Sequence, residues 1–581
     1  MKKYLLVLVS LCCVLSAAFA ENPDYPELKK SDANIIGHVL DKKTKEHLPY
    51  ITVALKGTTI GTVTDATGHY FLKNLPEGSF VLEVSSVGYK TLTRNVTLKR
   101  GKTLEEDFEI EEDAIALDGV VVSANRSETT RRLAPTLVNV VDLKLFETTN
   151  SSTLSQGLNF QPGVRVETNC QNCGFQQVRI NGLDGPYTQI LIDSRPVFSA
   201  LSGVYGLEQI PASMIERVEV MRGGGSALFG SSAIAGTINI ITKEPLRNSG
   251  QLSHTLTALG GGSSFDNNTS LNASLVTDDH RAGLYIFGQN RHRSGYDYDG
   301  DGFTELPKLK NQTVGFRSYL KTSTYSKLTF EYHHMQEFRR GGDMLDRPPH
   351  EAHIAEQLQH SIDGGSLKFD YFSPDEKNRL SIFASAANTD RDSYYGPGND
   401  PLKAYGKTTD LTAMGGAQYV HTFDKCFFMP SDLTAGLEYN RDRLKDNMWG
   451  YDRHTDQTVN IYSAFLQNEW KNDRWGILIG GRLDKHNMVD NVIFSPRANL
   501  RFNPTQNINL RLSYSSGFRA PQAFDEDMHI ENVGGTVAMI ERAKNLKEEK
   551  SQSFSASADM YHRFGVFQTN FLIEGFYTRL T

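Results

Sequence analysis

From Gln251 onward, apolar and polar residues alternate in segments separated by polar loops. Ile508, Leu510, Leu512 and Tyr514 alternate with Asn509, Arg511, Ser513 and Ser515. Leu328, Phe330 and Tyr332 alternate with Thr329, Glu331 and His333. Phe554, Ala556, Ala558 and Met560 do the same with Ser555, Ser557 and Asp559. A period of two sends one set of side chains to each face of a strand, and roughly fifteen strands can be counted on this pattern. Such strands suit a soluble antiparallel sandwich. They also suit a barrel with one face toward lipid and the other toward a wet lumen.

The first part of the chain has a different rhythm. Between residues 34 and 109, short strands are separated by turn signals: Ile35–Leu40, Ile51–Leu55, Tyr70–Leu72 and Phe80–Val84, with Val87-Gly88-Tyr89 closing the set. This spacing predicts a small β-sandwich. Leu104–Asp118 is rich in Glu and Asp and reads as a flexible tether. Next comes Asp118-Gly119-Val120-Val121-Val122-Ser123-Ala124, an apolar strand with no hairpin partner in view. Pairing with the edge of another protein's sheet is the physical use of such a strand; serving as the first strand of the next domain is the alternative.

Residues 130–245 mix helix and strand. Val138–Val141 reads as a strand, Ser152–Leu158 as a helix, and Pro162–Val166 as the start of another strand. Val178–Leu183 and Gln189–Asp193 are expected to pair around Gly185-Pro186-Tyr187, and residues 197–206 to form a loop. Ile215–Lys243, IERVEVMRGGGSALFGSSAIAGTINIITK, reads as strand, glycine turn, short helical turn capped by Ser226, and returning strand. Arg222 stands at the lip of that turn, where a guanidinium can hold carbonyls or a carboxylate. Gly225–Ser232 nearly fits a phosphate loop, but Ser231 replaces the lysine that supplies its main cation.

Residues 1–20 carry an export signal: Lys2 and Lys3, an apolar run from Tyr4 to Leu15, and Ala18-Phe19-Ala20 for cleavage. No later run is long and apolar enough for a membrane helix. With 49 glycines, 24 tyrosines and 31 phenylalanines but only 39% hydrophobic residues, composition favours the barrel. A net charge of −7 argues against nucleic acid as a partner.

The 215–243 stretch resembles the closing signature of the plug domain in TonB-dependent outer-membrane receptors, with Gly224 in place of a usual proline and Ala235 in place of a glycine. Residues 34–110 resemble the carboxypeptidase-regulatory-like domain found ahead of many such receptors in Bacteroidetes. No zinc-ligand set accompanies them, so the domain is expected to serve periplasmic protein contact or simple spacing. The resemblance implies a mostly β fold: the sandwich, a linker at 111–129, an α/β plug over 130–245, and an antiparallel transmembrane β-barrel over 250–581. That family's barrels have about twenty-two strands, so the expectation is of a barrel incomplete by roughly seven strands in this chain. Asp118, Gly119, Val120, Val121, Val122, Ser123 and Ala124 resemble the TonB box, the segment that TonB engages.

Further candidate chemistry lies in the loops. Cys170 and Cys173 form a CxxC pair; in an oxidising compartment it is expected to close as a structural disulfide, since a metal site wants four ligands and no second CxxC exists. In the family, loops at this position face the substrate. Asp297, Asp299, Asp301 and Glu305 alternate around glycines, which suits calcium or a merely solvated acidic loop. Phe518-Arg519-Ala520-Pro521 and Asn545-Leu546-Lys547-Glu548-Glu549 resemble a motif pair that brackets a loop in haem and other receptors, and His529 lies between them. Tyr187, Arg519 and His529 are the expected substrate contacts. His350-Glu351-Ala352-His353 is one residue short of a zinc motif.

The resemblance therefore implies a receptor and transporter in the outer membrane, with the first domain in the periplasm. Its expected cargo is an iron-siderophore, haem or cobalamin, haem entering only as cargo. TonB with its inner-membrane energising complex, the bilayer and the nutrient are the implied partners, with room for a surface lipoprotein. No cofactor is required, and no enzyme activity is expected. A ligand-sensing receptor is the alternative, and a redox protein using Cys170 and Cys173 a remote third.

Overall fold

The computed structural model describes residues 30–49, 51–65, 67–86, 89–111, 120–126, 129–170, 172, 174–196, 208, 210–231, 233–277, 279–397, 404–533, 536–543, 545–564 and 567–581. The expected export signal and the 197–206 loop lie outside the described residues.

Two sheets form the first domain. Lys30–Asp41 pairs with His69–Pro76, Thr103–Glu105 and Phe108–Ile110, while Gly61–Val63, Thr52–Leu55, Gly78–Ser85 and Leu92–Leu98 form the second sheet. Ile35, Val53, Leu72, Leu82, Phe108 and Ile110 meet between them. The expected sandwich is present with its last strand ending at Ile110, and the tether read from Leu104 starts later than expected. The first half of the presumed tether is strand, because Leu104, Phe108 and Ile110 point inward while Glu105 and Glu109 face solvent. Acidic composition there marks an exposed face, with Glu109 bonded to Lys45 at 2.7 Å.

The valine run also departs from expectation. Val120–Val121 pairs antiparallel with Thr129–Thr130, so the strand has a partner in its own chain. Two residues of ladder are too short to register as a hairpin signal in sequence.

The plug is built on a sheet in the order Val138–Asp142, Ile215–Arg222, Gly236–Thr242 and Thr188–Ile192. Short helices cover Leu143–Thr148 and Leu154–Leu158. The expected pairing of 178–183 with 189–193 does not occur. Phe175–Ile180 instead pairs with Val164–Cys170, and Thr188–Ile192 lies parallel to Gly236–Thr242. The continuous buried run Ile190-Leu191-Ile192 fits this: both faces of the strand are covered, as is usual for parallel pairing, although it stands at the edge of the plug sheet. In the signature, Gly223 takes φ 83°, and a Cβ on Gly224 would lie 2.1 Å from Ser515 Oγ of the barrel wall. Ser226 opens the helical turn Ser226–Phe229 and does not cap it; Gly225 holds the cap position.

Fifteen strands, from Ser249–Leu259 to Phe567–Leu580, form one sheet in which neighbours run antiparallel. The alternation reads true with its apolar face outward. Leu512 is 55% exposed, whereas Asn509 and Arg511 are buried against the plug side. Short turns such as Ser323–Ser326 lie at one end, where Phe428 stacks on Trp470 and Trp475 on Phe502. Aromatic girdles of this kind belong at a membrane interface. The sandwich touches this same end: Thr59 donates its backbone N–H to the Thr324 carbonyl at 2.9 Å, and Thr62 Oγ1 meets His280 Nε2 at 3.3 Å. Longer loops, including 520–548, occupy the opposite end. No described helix is long and apolar enough to cross a membrane.

Candidate functional site

The segment after the tether is bonded to both plug and wall. Glu219, in the plug strand Ile215–Arg222, accepts from Val122 N at 2.9 Å, Ser123 N at 2.9 Å and Ser123 Oγ at 2.8 Å through one oxygen. Its other oxygen holds Arg217 Nε at 3.0 Å. Asn239, opposite Glu219 in the sheet, donates to Ser123 Oγ at 3.0 Å. Val121 and Ala124 pack with Ala134 and Val138. From the wall, Arg497 donates to the Ala124 carbonyl at 2.9 Å and Gln467 to that of Asn125 at 2.9 Å. Asn125 in turn donates to Glu469 at 2.6 Å. Of the seven expected TonB-box residues, Asp118 and Gly119 lie outside the described residues, and the other five form or adjoin this docked segment.

Charge clamps fix the plug sideways. Arg126 pairs with Glu438, which also holds Arg482 at 2.6 Å. The Arg126 guanidinium lies 4.9 Å from the ring centres of both Phe229 and Phe465. Arg222 behaves as its place at the glycine turn suggests, reaching Glu574 at 2.5 Å and the Pro162 carbonyl at 3.1 Å. Glu208 faces Arg339 at 2.8 Å with Arg291 and Arg293 beyond. Burial works against its charge, but the three arginines win and hold the carboxyl at about 2. A cavity of about 270 Å³ runs beside Glu208 between the plug and the first barrel strands, lined by Thr168, Thr255, Asp266 and Asn268 among others.

At the long-loop end, two of the expected substrate contacts come together. Tyr187 donates to Glu549 at 2.9 and 3.1 Å, and the Arg519 guanidinium lies 5.8 Å from its ring centre. Burial and the Glu549 carboxylate push the phenol up to about 12, so Tyr187 stays a donor. Arg519 also sits 4.1 Å over Phe524.

His529 belongs to a separate cluster. Its ring packs edge-on to Tyr395 with centroids 5.4 Å apart, and its Nε2 lies 3.6 Å from Glu356 Oε2. Cys170, on the plug hairpin, donates from Sγ to that same oxygen at 3.1 Å. Burial opposes an imidazolium here, yet the contacts to Cys170 and Glu356 prevail and raise the ring to about 10. Cys173 lies outside the described residues.

The acidic loop folds on itself. Asp297, Asp299, Asp301 and Glu305 bring one carboxylate oxygen each to within 4.8 Å of the others. Asp297 accepts from Gly300 N at 2.7 Å and Gly302 N at 2.9 Å.

No motif in the sequence marks Glu219, Glu356 or Glu438 by itself, and Glu549 stands there only as the last residue of the Asn545–Glu549 motif. Glu219 has a local signal, a carboxylate set between Val218 and Val220.

Comparison with known proteins agrees with this architecture. Residues 235–581 match the family described as TonB dependent receptor-like, beta-barrel; 130–237 match the TonB-dependent Receptor Plug Domain; and 35–122 match the CarboxypepD_reg-like domain. The vitamin B12 transporter BtuB of Vibrio vulnificus strain CMCP6 is 25% identical over 424 residues, covering 70% of this chain and 64% of its own length. The chain thus spans under two thirds of that relative. Among solved structures, the siderophore receptor PirA from Acinetobacter baumannii superposes with TM-score 0.63 at 18% identity, covering 78% of each chain. A ferric enterobactin receptor (PfeA) mutant from Pseudomonas aeruginosa gives 0.61 at 18%, covering 74% of this chain and 70% of its own. At such identity these structures speak for the fold alone.

Proposed function

The chain belongs to the TonB-dependent receptors, proteins of the outer membrane, and we propose that it works as an energised transporter for a scarce, bulky nutrient. An iron-siderophore, haem or cobalamin is the cargo class. The nutrient binds from outside over the plug and loops, near Tyr187, Arg519 and His529. TonB grips residues 118–124 from the periplasm, draws on its inner-membrane energising complex and rearranges the plug, so that cargo passes inward. No bond in the cargo is broken, so the chain acts as a carrier and not as an enzyme.

The observation that carries this reading is the double docking of Val122–Asn125. Glu219 and Asn239 hold it from the plug, and Arg497, Gln467 and Glu469 from the wall. A pull there loads the plug sheet and its lateral clamps together. Deleting residues 118–124 should abolish uptake while surface binding of the nutrient persists; retained uptake would refute the mechanism. Growth of a receptor-deficient host limited in turn for haem, cobalamin and chelated iron identifies the cargo.

A sensing role is the second reading, favoured by the contact of Thr59 and Thr62 with turns of the barrel rim. If the sandwich reports occupancy, removing it should silence a transcriptional response to the nutrient and leave uptake in place.

The acidic loop is proposed to take calcium. Its four carboxylates supply the oxygen donors such an ion needs. Calcium should slow proteolysis within residues 297–305, and Asp297→Asn should cancel the protection; equal cleavage with calcium or chelator would remove the proposal.

A further inference from the structure

We infer that Cys170, Glu356 and His529 form a site for one divalent transition ion of the zinc class, clipping the outer end of the plug to the barrel wall. The argument begins with spacing. Cys170 Sγ and His529 Nε2 lie 3.1 and 3.6 Å from the same Glu356 oxygen, and the three donors fall within 4.8 Å of one another. A tetrahedral ion with bonds of roughly 2.0–2.3 Å holds its ligand atoms about 3.3–3.7 Å apart. The donors already stand close to that separation.

The donors come from three distant parts of the chain: the tip of the plug hairpin, the outer end of the strand Ile354–Phe372, and the loop after Arg519. The hairpin tip is seated closely on the wall. A Cβ on Gly341 would lie 1.7 Å from the Asn172 carbonyl oxygen, and Arg339 donates to the Gly174 carbonyl at 3.3 Å. Cys170 is therefore carried to the wall by backbone packing and not by a mobile loop.

The site is also deep. Glu356 is 2% exposed and His529 9%. A carboxylate at that depth needs compensating charge; the structure sets the His529 ring 3.6 Å from it, and an ion bound by both groups would supply that charge in place of the ring proton. Tyr395 braces the His529 ring, and Tyr451 fixes that strand by donating to the Tyr395 carbonyl at 2.6 Å.

Ligand chemistry selects the ion. A thiolate beside an imidazole and a carboxylate suits zinc or a neighbouring transition metal and disfavours calcium and magnesium, which want oxygen alone. On binding, the thiol and the imidazolium each release a proton to solvent. Three protein donors leave a fourth position for water or for a donor on an incoming molecule. The site does not depend on which nutrient the chain carries.

The test uses the full chain in detergent, reduced, with Co²⁺ as a coloured stand-in for Zn²⁺. One Co²⁺ per chain should bind, with a thiolate-to-cobalt charge-transfer band and tetrahedral visible bands that Zn²⁺ bleaches. Cys170→Ser should remove the charge-transfer band. Glu356→Gln and His529→Gln should each weaken binding by no less than about tenfold, the lower end of the cost of losing even an outer-shell partner. Cys173→Ser should leave the spectrum unchanged, and heat-modifiable migration of each variant confirms a folded barrel. Failure of folded wild-type chain to bind one ion would overturn the inference, as would a spectrum lost in Cys173→Ser but kept in His529→Gln. A Cys170 that resists alkylation in chelator-treated outer membranes until a disulfide is reduced would overturn it as well.

Discussion

Glu219 turns a plug strand into a latch. A carboxylate there would be costly to bury alone, but one oxygen takes three donors from Val122 and Ser123 while the other holds Arg217. Bonds to a charged acceptor are stronger than neutral ones. Glu219→Gln should therefore weaken the docking by about 2 kcal/mol, roughly thirtyfold in the population of the released segment. Limited proteolysis between residues 111 and 130 measures it, and an unchanged cleavage rate would mean the wall contacts alone hold the segment. Arg222 was legible in sequence because it stands at the lip of a glycine turn, although its partners Glu574 and Pro162 are distant in the chain. The cluster of Cys170, Glu356 and His529 was not: nothing in the spacing of 170, 356 and 529 announces that barrel curvature and plug insertion bring them together. Tyr187 and Arg519, both named from the sequence as substrate contacts, do come together, while Glu549, which orients Tyr187, was hidden in the motif that ends on it.

At the scale of elements, periodicity carried most of the fold. An alternation of two survives in barrel strands such as Ala282–Arg293 and Ile493–Thr505 because lipid and lumen demand opposite chemistry on their two faces. Where that demand is absent, the pattern of residues is a poorer guide to structure. Acidic residues on one face of Thr103–Glu105 and Phe108–Ile110 masked two strands, and the valines at 120–122 concealed a ladder of two residues. The lipid-facing assignment can be tested on the strand Arg453–Lys471. Leu466 is 56% exposed and lies midway between the outward Tyr462 and Trp470, while its neighbours Phe465 and Gln467 are buried. Leu466→Arg should destabilise the barrel by about 2–4 kcal/mol in bilayers, the cost of a cation near the midplane. Urea unfolding in lipid vesicles reads this directly. A loss below about 0.5 kcal/mol is what an ordinary exposed surface would give, and it would place that face in water.

For the whole molecule, the contrast between two interfaces sets which parts can move independently. The plug meets the wall through desolvated charge: Arg126 and Arg482 on Glu438, Arg222 on Glu574, and three arginines around Glu208. Removing one member of such a set leaves a buried charge uncompensated, at about 3–5 kcal/mol. The sandwich meets the rim through neutral contacts, Thr59 to the Ser323 and Thr324 carbonyls and Thr62 to His280. Bonds of that kind contribute roughly 0.5–1.5 kcal/mol each, close to the thermal range for a domain joined by a tether. The sandwich should therefore undock readily, whereas the plug should yield only to force applied through Val122–Asn125. Removing residues 30–110 should accordingly leave the melting temperature of plug and barrel within about 2 °C of the full chain, since each kilocalorie per mole moves a domain of this size by roughly 2–4 °C or less. Glu438→Gln, in contrast, should lower it clearly. Calorimetry in one detergent compares the two, and a larger drop on losing the sandwich than on losing the Glu438 charge would make the rim contact, and not the lateral clamp, the structural anchor of the molecule.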